Sequence, residues 1–296
     1  MAAVEAPSVR ERKLARELRV LRGGAQLHGK DVAARLGWSA SKVSRIETGR
    51  IGVSPDDLDR LLALYEVPAG QAAYLRRLAP SGRPKGWWDA YADTLSSGYA
   101  SLIRMESGSR ALRCYSSLVP HAFLQTPDYA RQVILSAART PSAAEVERRV
   151  AICRRRQRVL SAEPGREPLE LSAVLDEGVL RRRFPSDEFS EVLCTQLRWL
   201  LTVAQWPNVE IRVLPFDAGL PPVTSGSFAV LESLATASAD VVYLENKTRI
   251  FFIESEAEVH GYVEELDLLR TMALSPDASA ALIEERLSFL TGPGGG

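Results

Sequence analysis

The stretch VAARLGWSASKVSRIETGR, residues 32–50, restricts the fold more than any other part of the sequence. Apolar residues at helical spacing lead up to Gly37, and glycine readily adopts the left-handed backbone that ends a helix. Ser39 is a preferred N-cap for a second helix, which Gly49 stops. The stretch therefore predicts two short helices joined by a tight turn. Their inward residues are Val32, Ala33 and Leu36 in the first helix and Val43 and Ile46 in the second.

Further helical segments flank this pair and predict an all-α domain over residues 1–79. Each has apolar residues three and four positions apart, and Ser54-Pro55 combines an N-cap with a proline at the first helical position. The five predicted helices are Ser8–Arg22, Gly29–Leu36, a third between Ser39 and Gly49, a fourth that starts at Ser54, and Gly70–Leu78.

The outer face of the third helix carries short polar and cationic side chains. Arginine can bond guanine O6 and N7 together, serine can donate to a phosphate or a base, and alanine can contact a thymine methyl group. This composition suits a helix that lies in the major groove of DNA, with Lys30 and Arg50 placed to reach flanking phosphates. The outward residues are Ala40, Ser41, Lys42, Ser44 and Arg45.

At these residues the chain resembles the helix-turn-helix of the Xre or lambda-repressor-like class, over about residues 8–70. The shared features are an apolar-Ala pair, a Gly turn, a Ser cap and an S-x-I-E-x-G ending. The resemblance implies base reading by Ala40, Ser41 and Arg45. That class often has Gln near the second residue of helix 2, where this chain has Gly29, so His28 or Lys30 is expected to make the corresponding phosphate contact. The full set of expected phosphate contacts is His28, Lys30, Lys42, Ser44 and Arg50.

Charge is distributed unevenly along the chain. The whole sequence has 37 Lys and Arg against 37 Asp and Glu, so its formal net charge is zero. Residues 1–85 hold 16 of these cations against 9 of the anions, a net of +7, whereas residues 86–296 hold 21 against 28, a net of −7. This asymmetry predicts two domains with different partners, and it predicts a polyanion as the partner of the first domain.

A Pro-, Gly- and Ser-rich linker, residues 80–86, is expected to separate the first domain from a larger one, residues 87–290, followed by a flexible tail, residues 291–296. Segments of strand and helix alternate in the larger domain, which predicts a mixed α+β fold of unspecified strand order. The predicted strands are Ala111–Ser116, Glu170–Leu175, Val209–Leu214, Ser227–Glu232, Val241–Glu245 and Arg249–Ile253. The predicted helices are Thr126–Ala137, Ala143–Ser161, Asp187–Ala204, Ser255–Met272 and Ser275–Leu290.

This larger domain also resembles a known family. The phrases LVPHAFLQTPDYAR, VLDEGVLRR, VEIRVLPFDAGL, GSFAVLE, VVYLEN and LLRTMALSPDASAALI are similar to the C-terminal domain of helix-turn-helix regulators that are often labelled antitoxin-like. Genes of that family tend to neighbour the gene of a small partner protein. The pattern departs at His121-Ala122, where the family usually has Gly-Leu. The resemblance identifies a family without assigning a reaction to it.

Motifs of known enzymes are absent from the sequence, so neither an enzymatic activity nor a cofactor or metal is expected. There is no GxSxG, P-loop, GxGxxG or HExxH, and the three histidines lack the spacing of metal ligands. The three cysteines are odd in number and have no CxxC, which predicts buried free thiols. A Cys114/His121 dyad, or carboxylates from Asp176-Glu177 and Glu245 meeting in space, would be needed to support catalysis.

Two arginine runs lie in the otherwise acidic second domain and are candidates for binding an anion or an acidic partner. Arginine binds carboxylate and phosphate with two parallel hydrogen bonds. The simpler interpretation is a solvated helix face for the first run and a strand or loop edge for the second. The runs are Arg154, Arg155 and Arg156, and Arg181, Arg182 and Arg183.

Taken together, these patterns predict a cytoplasmic, sequence-specific regulator of transcription that binds double-stranded DNA as a homodimer. No apolar run is long enough for a membrane span or a signal sequence. The second domain would provide dimerisation and a regulatory input from a small protein or a ligand. The alternative is an antitoxin-like interaction protein that sequesters a small partner protein and binds DNA to regulate its own operon.

Overall fold

The structure is a computed structural model, and it describes residues 9–48, 51–78, 86–91, 93–137, 141–163, 165–182, 189–223, 226–233, 240–246 and 249–292. The chain divides into two compact units, Met1–Ser101 and Leu102–Gly296. The expected linker lies outside the described residues except for Gly86. The same holds for the end of the expected tail, from residue 293 onward.

The first unit is helical, as the apolar spacing predicts. Its core consists of residues from all five helices, among them Leu18, Val32, Ile46, Leu61 and Leu75. The helices are α1 (Val9–Gly24), α2 (Gly29–Leu36), α3 (Ala40–Glu47), α4 (Pro55–Leu64) and α5 (Ala69–Leu78), and α6 (Ser97–Ser107) includes the division between the units.

The second unit is built on one six-stranded sheet in the order β3-β2-β1-β4-β5-β6. Strands β1, β2 and β3 run parallel to one another, whereas β4 is antiparallel to β1 and is followed by two further antiparallel pairings. The strands are β1 (Ser109–Ser116), β2 (Glu170–Asp176), β3 (Val209–Leu214), β4 (Phe228–Ser233), β5 (Val241–Glu245) and β6 (Ile250–Ile253).

Helices cover both faces of this sheet. On one face, alternate strand residues such as Leu112 and Leu171 pack with Leu197 of α10 and Ile283 of α12. On the other face, the intervening residues pack against α11 through Val259, Leu266 and Leu269, as expected for strands with two buried faces. The helices of this unit are α7 (Pro127–Ala137), α8 (Ala143–Gln157), α9 (Glu177–Arg181), α10 (Phe189–Val203), α11 (Glu256–Met272) and α12 (Pro276–Thr291).

The predicted fold class, a helical helix-turn-helix domain followed by a larger mixed α+β domain, is confirmed. The free cysteines Cys114, Cys153 and Cys194 are buried, also as predicted. Two local predictions differ from the structure. The segment around Arg181 is the short helix α9 rather than a strand or loop edge, because Asp176 caps it through the N–H of Gly178. The helix predicted for Ala143–Ser161 ends at Gln157 and continues as a 3-10 turn.

Candidate nucleic-acid interface

The turn between α2 and α3 has the geometry that Gly37 and Ser39 predict. Gly37 has a φ of 69°, and the N–H of Trp38 donates to the carbonyl of Ala33 over 2.8 Å, which closes the end of α2. The hydroxyl of Ser39 accepts a hydrogen bond from the N–H of Lys42 over 3.1 Å and so caps α3. One backbone hydrogen bond at the end of α2 and one side-chain cap at the start of α3 therefore fix the turn between the two helices.

Buried and exposed residues divide α3 into two faces. Val43 and Ile46 are 2% and 3% exposed in the core of the first unit. The residues between and before them point outward, which leaves a narrow polar face with one arginine near its C-terminal end. The exposed residues of α3 are Ala40, Ser41, Ser44 and Arg45.

Arg45 is the cation on this face with the fewest restraints. Its Nε donates to the carbonyl of Ser41 over 3.3 Å, a weak contact one helical turn away, and its side chain is exposed. Arginine presents five N–H donors, so Arg45 keeps most of its donors available for a ligand. Base reading by Arg45 remains a prediction that these donors would serve.

Lys42 differs from Arg45 because its charge already has two partners within the chain. Its Nζ lies 2.8 Å from Oδ2 of Asp57, the second acidic residue in the first turn of α4. The same Nζ lies 4.0 Å from the centre of the Trp38 ring, within cation–π distance. A phosphate that bound Lys42 would have to compete with Asp57.

Trp38 also contacts Arg60 of α4, whose guanidinium carbon lies 5.4 Å from the ring centre. Nη2 of Arg60 donates over 2.6 Å to the carbonyl of Leu36, one of the carbonyls that the end of α2 leaves without a helical partner. Trp38 and Arg60 thus attach the turn to α4. Neither residue was identified from the sequence, since the sequence does not reveal a contact between α4 and a turn some twenty residues earlier.

A bidentate ion pair holds the C-terminal end of α3. Nε and Nη2 of Arg22, on α1, donate to the two carboxylate oxygens of Glu47 over 2.7 and 2.9 Å. Nη1 of Arg22 donates over 2.8 Å to the carbonyl of Leu27, in the loop before α2. The hydrogen bond with Glu47 raises the pKa of Arg22, so the guanidinium of Arg22 stays protonated. Glu47 is the acid of the S-x-I-E-x-G ending, and its partner on α1 was not predicted.

The remaining phosphate-contact residues lie near α2 or outside the described part of the chain. Lys30 is exposed in the first turn of α2. His28 is the exposed residue before α2, and its N–H donates to Oδ2 of Asp31 over 2.8 Å. Arg50 lies outside the described residues. A Cβ at Gly29 would meet Val43 at 3.9 Å, an ordinary contact, so a larger residue could be accommodated there.

The first arginine run of the second unit does not act as one surface. Arg154 and Arg155 are exposed on α8, whereas Arg156 is 2% exposed. The guanidinium of Arg156 makes two hydrogen bonds with Glu106 of α6, of which the Nε bond is 2.9 Å long. Helical spacing turns every third or fourth residue inward, so Arg156 is buried and pairs with a carboxylate inside the chain.

The second run is likewise divided. Arg181 forms an ion pair with Glu177 one turn earlier on α9, and its guanidinium lies 6.0 Å from the ring centre of Phe216. Glu177 is buried and also accepts a hydrogen bond from the N–H of Phe216 over 2.8 Å. Arg182 is exposed, and Arg183 lies outside the described residues.

His121 and Asp176, two of the groups considered for catalysis, have hydrogen-bond partners within the chain. His121 accepts a hydrogen bond at Nδ1 from the N–H of Phe123 over 3.2 Å, so the proton is on Nε2, 2.6 Å from the hydroxyl of Tyr243. Burial lowers the pKa of His121 to about 3 and raises the pKa of Cys114 to about 12. Asp176 caps α9 through the N–H of Gly178.

Across the described residues, no group of three or more His, Cys, Asp or Glu side chains is arranged to hold a metal ion. None of the helices in the described part of the chain combines the length and apolar character that crossing a membrane requires.

Comparison with protein families gives two matches. A model described as "Helix-turn-helix domain" matches residues 13–75, which include α2, α3 and the turn between them. A model described as "Domain of unknown function (DUF5753)" matches residues 99–285, more than half of the chain. No curated protein and no solved structure matches the sequence.

Proposed function

The chain belongs to the family defined by the Domain of unknown function (DUF5753), and because a helix-turn-helix domain precedes that domain, we propose that it is a sequence-specific transcriptional regulator of the Xre type. The helix-turn-helix is a DNA-binding fold whose second helix enters the major groove. The observation that carries the proposal is the outer face of α3, where Ala40, Ser41, Ser44 and Arg45 are exposed above a buried apolar stripe.

In this proposal the residues of α3 divide into two kinds of contact. Base edges are read by Ala40, Ser41 and Arg45, and Arg45 is the residue able to bond guanine O6 and N7 together. Phosphates are bound around them, which fixes the position of α3 on the duplex without specifying sequence. The proposed phosphate contacts are His28, Lys30, Lys42, Ser44 and Arg50.

Two copies are proposed to act together on DNA in the cytoplasm, with the second unit providing dimerisation and a regulatory input. One recognition helix reads only a few base pairs, so a dimer is needed for the affinity and specificity that a genome demands. Arg154, Arg155 and Arg182 are exposed and remain the candidates for an anionic effector or partner. The proposed role involves no chemical reaction, cofactor or metal.

The test is a gel-shift competition at moderate salt between the chain's own upstream region and random DNA of equal length. We expect the upstream region to compete at least tenfold better, because specific sites bind far more tightly than non-specific DNA. Equal competition by the two DNAs would overturn the proposal. Substituting both Ser41 and Arg45 with alanine serves as the control, since the preference should then be lost while non-specific binding remains.

A second candidate role is suggested by the net charge of −7 over residues 86–296. An acidic domain can attract a small basic protein, and the chain would then be an antitoxin-like partner that also regulates its own operon. Purification of the tagged chain from its native host separates the two roles. A small basic protein in a fixed ratio to the chain would favour sequestration, and its absence would favour the regulator alone.

A further inference from the structure

The strand β6 forms one end of the sheet and has an unusual combination of features. It pairs with β5 on one side, and no described strand pairs with its other side. Its sequence, IFFI, has no charged residue and no proline, two means by which natural edge strands avoid pairing, so its protection is limited to its length of four residues. Phe251 is 50% exposed at its centre.

The hairpin between β5 and β6 determines which backbone groups of β6 are directed outward. The N–H of Asn246 donates to the carbonyl of Arg249 over 3.0 Å, so the backbone groups of Arg249 face β5. Backbone groups alternate between the two sides of an antiparallel strand, so those of Phe251 also face β5, opposite Leu244. The backbone groups of Ile250 and Phe252 are therefore directed away from β5, towards the open edge of the sheet.

The ends of β6 carry opposite charges. Arg249 immediately precedes the strand, and Glu254 and Glu256 follow it. If an antiparallel neighbour had the same sequence, the basic end of each strand would lie beside the acidic end of the other strand. A parallel neighbour would place like charges together. The edge is thus complementary to itself in one orientation only, as a two-fold symmetric interface requires.

We infer that β6 is the dimer interface of this protein, pairing antiparallel with β6 of a second copy to form one continuous sheet. The inference rests on the proposed function in so far as that function calls for a dimer, and it names the surface that forms it. The outward backbone groups set the register. Ile250 of each copy exchanges hydrogen bonds with Phe252 of the other, which places the two Phe251 residues directly opposite each other.

This register puts the two Phe251 side chains in a non-hydrogen-bonded pair, where Cα atoms lie about 4.5 Å apart and side chains are closest. The same pairing keeps each face of the sheet continuous, because opposite residues of an antiparallel pair point to the same side. Each Phe251 is then covered by the other, which accounts for its exposure in the single chain.

Cysteine cross-linking of the full-length chain tests the register. Phe251→Cys is expected to form an intermolecular disulfide under mild oxidation, seen as a dimer in a non-reducing gel. Leu118→Cys is the matched control, since Leu118 is similarly exposed at 55% in another part of the second unit and should give little dimer. The native cysteines are buried and contribute no background. The inference would be overturned if the two variants cross-linked equally, or if neither cross-linked.

Charge reversal tests the self-complementarity by light scattering. Arg249→Glu places acids together at both ends of the interface, and Glu254→Arg places bases together, so each variant alone should be monomeric at concentrations where the native chain is dimeric. Mixing the two variants restores opposite charges at both ends and should restore a dimer. A mixture that stays monomeric, or single variants that remain dimeric, would contradict the pairing.

The result can be separated from the fate of the proposed function. If the native chain is dimeric and selects its own upstream DNA but Phe251→Cys does not cross-link, the dimer uses another surface and only this inference fails. If the chain cross-links through residue 251 but shows no preference for that DNA, the interface stands and the regulator proposal fails.

Discussion

At the scale of single residues, Lys42 illustrates how a predicted contact can be restrained by its own chain. Its ammonium group lies between the carboxylate of Asp57 and the ring of Trp38. Both partners orient the lysine on the outer side of α3, yet Asp57 also cancels its charge in the unbound state. Binding to a phosphate therefore includes the loss of a lysine–carboxylate ion pair.

Replacing Asp57 with asparagine should strengthen DNA binding. The change removes the competitor of Lys42 and a negative charge beside the interface, so affinity should rise and its dependence on salt should steepen by about one counterion. The measurement is the slope of log affinity against log salt concentration. Asp59→Asn is the matched control on the same helix, where the aspartate pairs with Arg76 instead. An unchanged slope for Asp57→Asn would show that Lys42 does not contact a phosphate.

Arg45→Ala is expected to remove discrimination at one base position. A bidentate contact to guanine contributes about 1–3 kcal/mol of discrimination, and its loss should leave the preference at other positions intact. Selection of bound sequences from a random library measures this directly. Lys30→Ala, the control, should weaken binding to all sequences equally. An Arg45→Ala variant that selects the same sequences as the native chain would exclude Arg45 from base reading.

His121 should make the chain less stable in mild acid. Its pKa is about 3 in the folded chain because of burial, with a further contribution from Arg156, whereas the value in an unfolded chain is about 6.5. The unfolded state therefore binds the extra proton first, and stability falls by up to about 1.4 kcal/mol for each pH unit as pH drops from 6.5 towards 3.

Urea unfolding at pH 7 and pH 5, followed by tryptophan fluorescence, measures this loss. His121→Gln should show a smaller difference between the two pH values than the native chain, although it is less stable at pH 7 because the bond to Tyr243 is altered. His260→Gln is the control, since His260 is exposed on α11. An equal pH dependence in the native chain and His121→Gln would contradict the assignment.

The sequence predicted single residues best where the cause is local. Gly37 and Ser39 were identified correctly because a left-handed turn and an N-cap depend on a few neighbouring residues. Two ion-pair partners were not identified: Arg22, which pairs with Glu47, and Asp57, which pairs with Lys42. They lie on other helices, at sequence separations that no periodicity indicates. Much of the environment of the candidate interface therefore depends on tertiary contacts, which local sequence patterns do not reveal.

At the scale of elements, the buried pair of Glu106 and Arg156 joins α6 to α8 inside the second unit. Both side chains are 1% exposed, and the two guanidinium nitrogens that bond the carboxylate occupy both of its oxygens. A charge left alone in such a place is strongly unfavourable, whereas a matched pair of apolar residues can replace both charges at little cost.

Arg156→Ala should accordingly destabilise the second unit by about 3–5 kcal/mol. The measurement is amide hydrogen exchange in β1, whose slowest amides report the free energy of unfolding of that unit. Joint replacement by Glu106→Leu and Arg156→Met should recover most of the loss. Arg149→Ala, which breaks an exposed ion pair with Glu145 on α8, is the comparison and should cost less than about 1 kcal/mol. Similar costs for Arg156→Ala and Arg149→Ala would argue against a structural role for the buried pair.

Most helices and strands were predictable within two residues, but their arrangement was not. The strand Val209–Leu214 was predicted with its observed bounds because its apolar residues alternate between turn signals. The order of the strands depends on which connections cross the sheet, and β1 pairs with β4 across more than a hundred residues. The short helix α9 escaped prediction because five residues are too few to show a helical period.

At the scale of the whole molecule, a dimer should leave a two-part footprint on its DNA. Two recognition helices related by a two-fold axis contact half-sites about 10–10.5 base pairs apart, or a multiple of this distance, arranged as an inverted repeat. Footprinting of the upstream region measures the spacing. The Arg249→Glu variant should protect the same bases only at much higher protein concentration, and a single uninterrupted half-site would be inconsistent with a dimer.

The order of the strands in the sheet also decides when each strand acquires its neighbours during synthesis. β5 and β6 are joined by a tight hairpin and can pair as soon as both are made. β1 is synthesised first, yet β2 begins only at Glu170, and the partner of Arg110 is Glu232, 122 residues later. β1 thus lacks both neighbouring strands until β2 has been made and one of them until β4 has been made, and a chaperone on a ribosome-bound chain is expected to bind β1 in that interval.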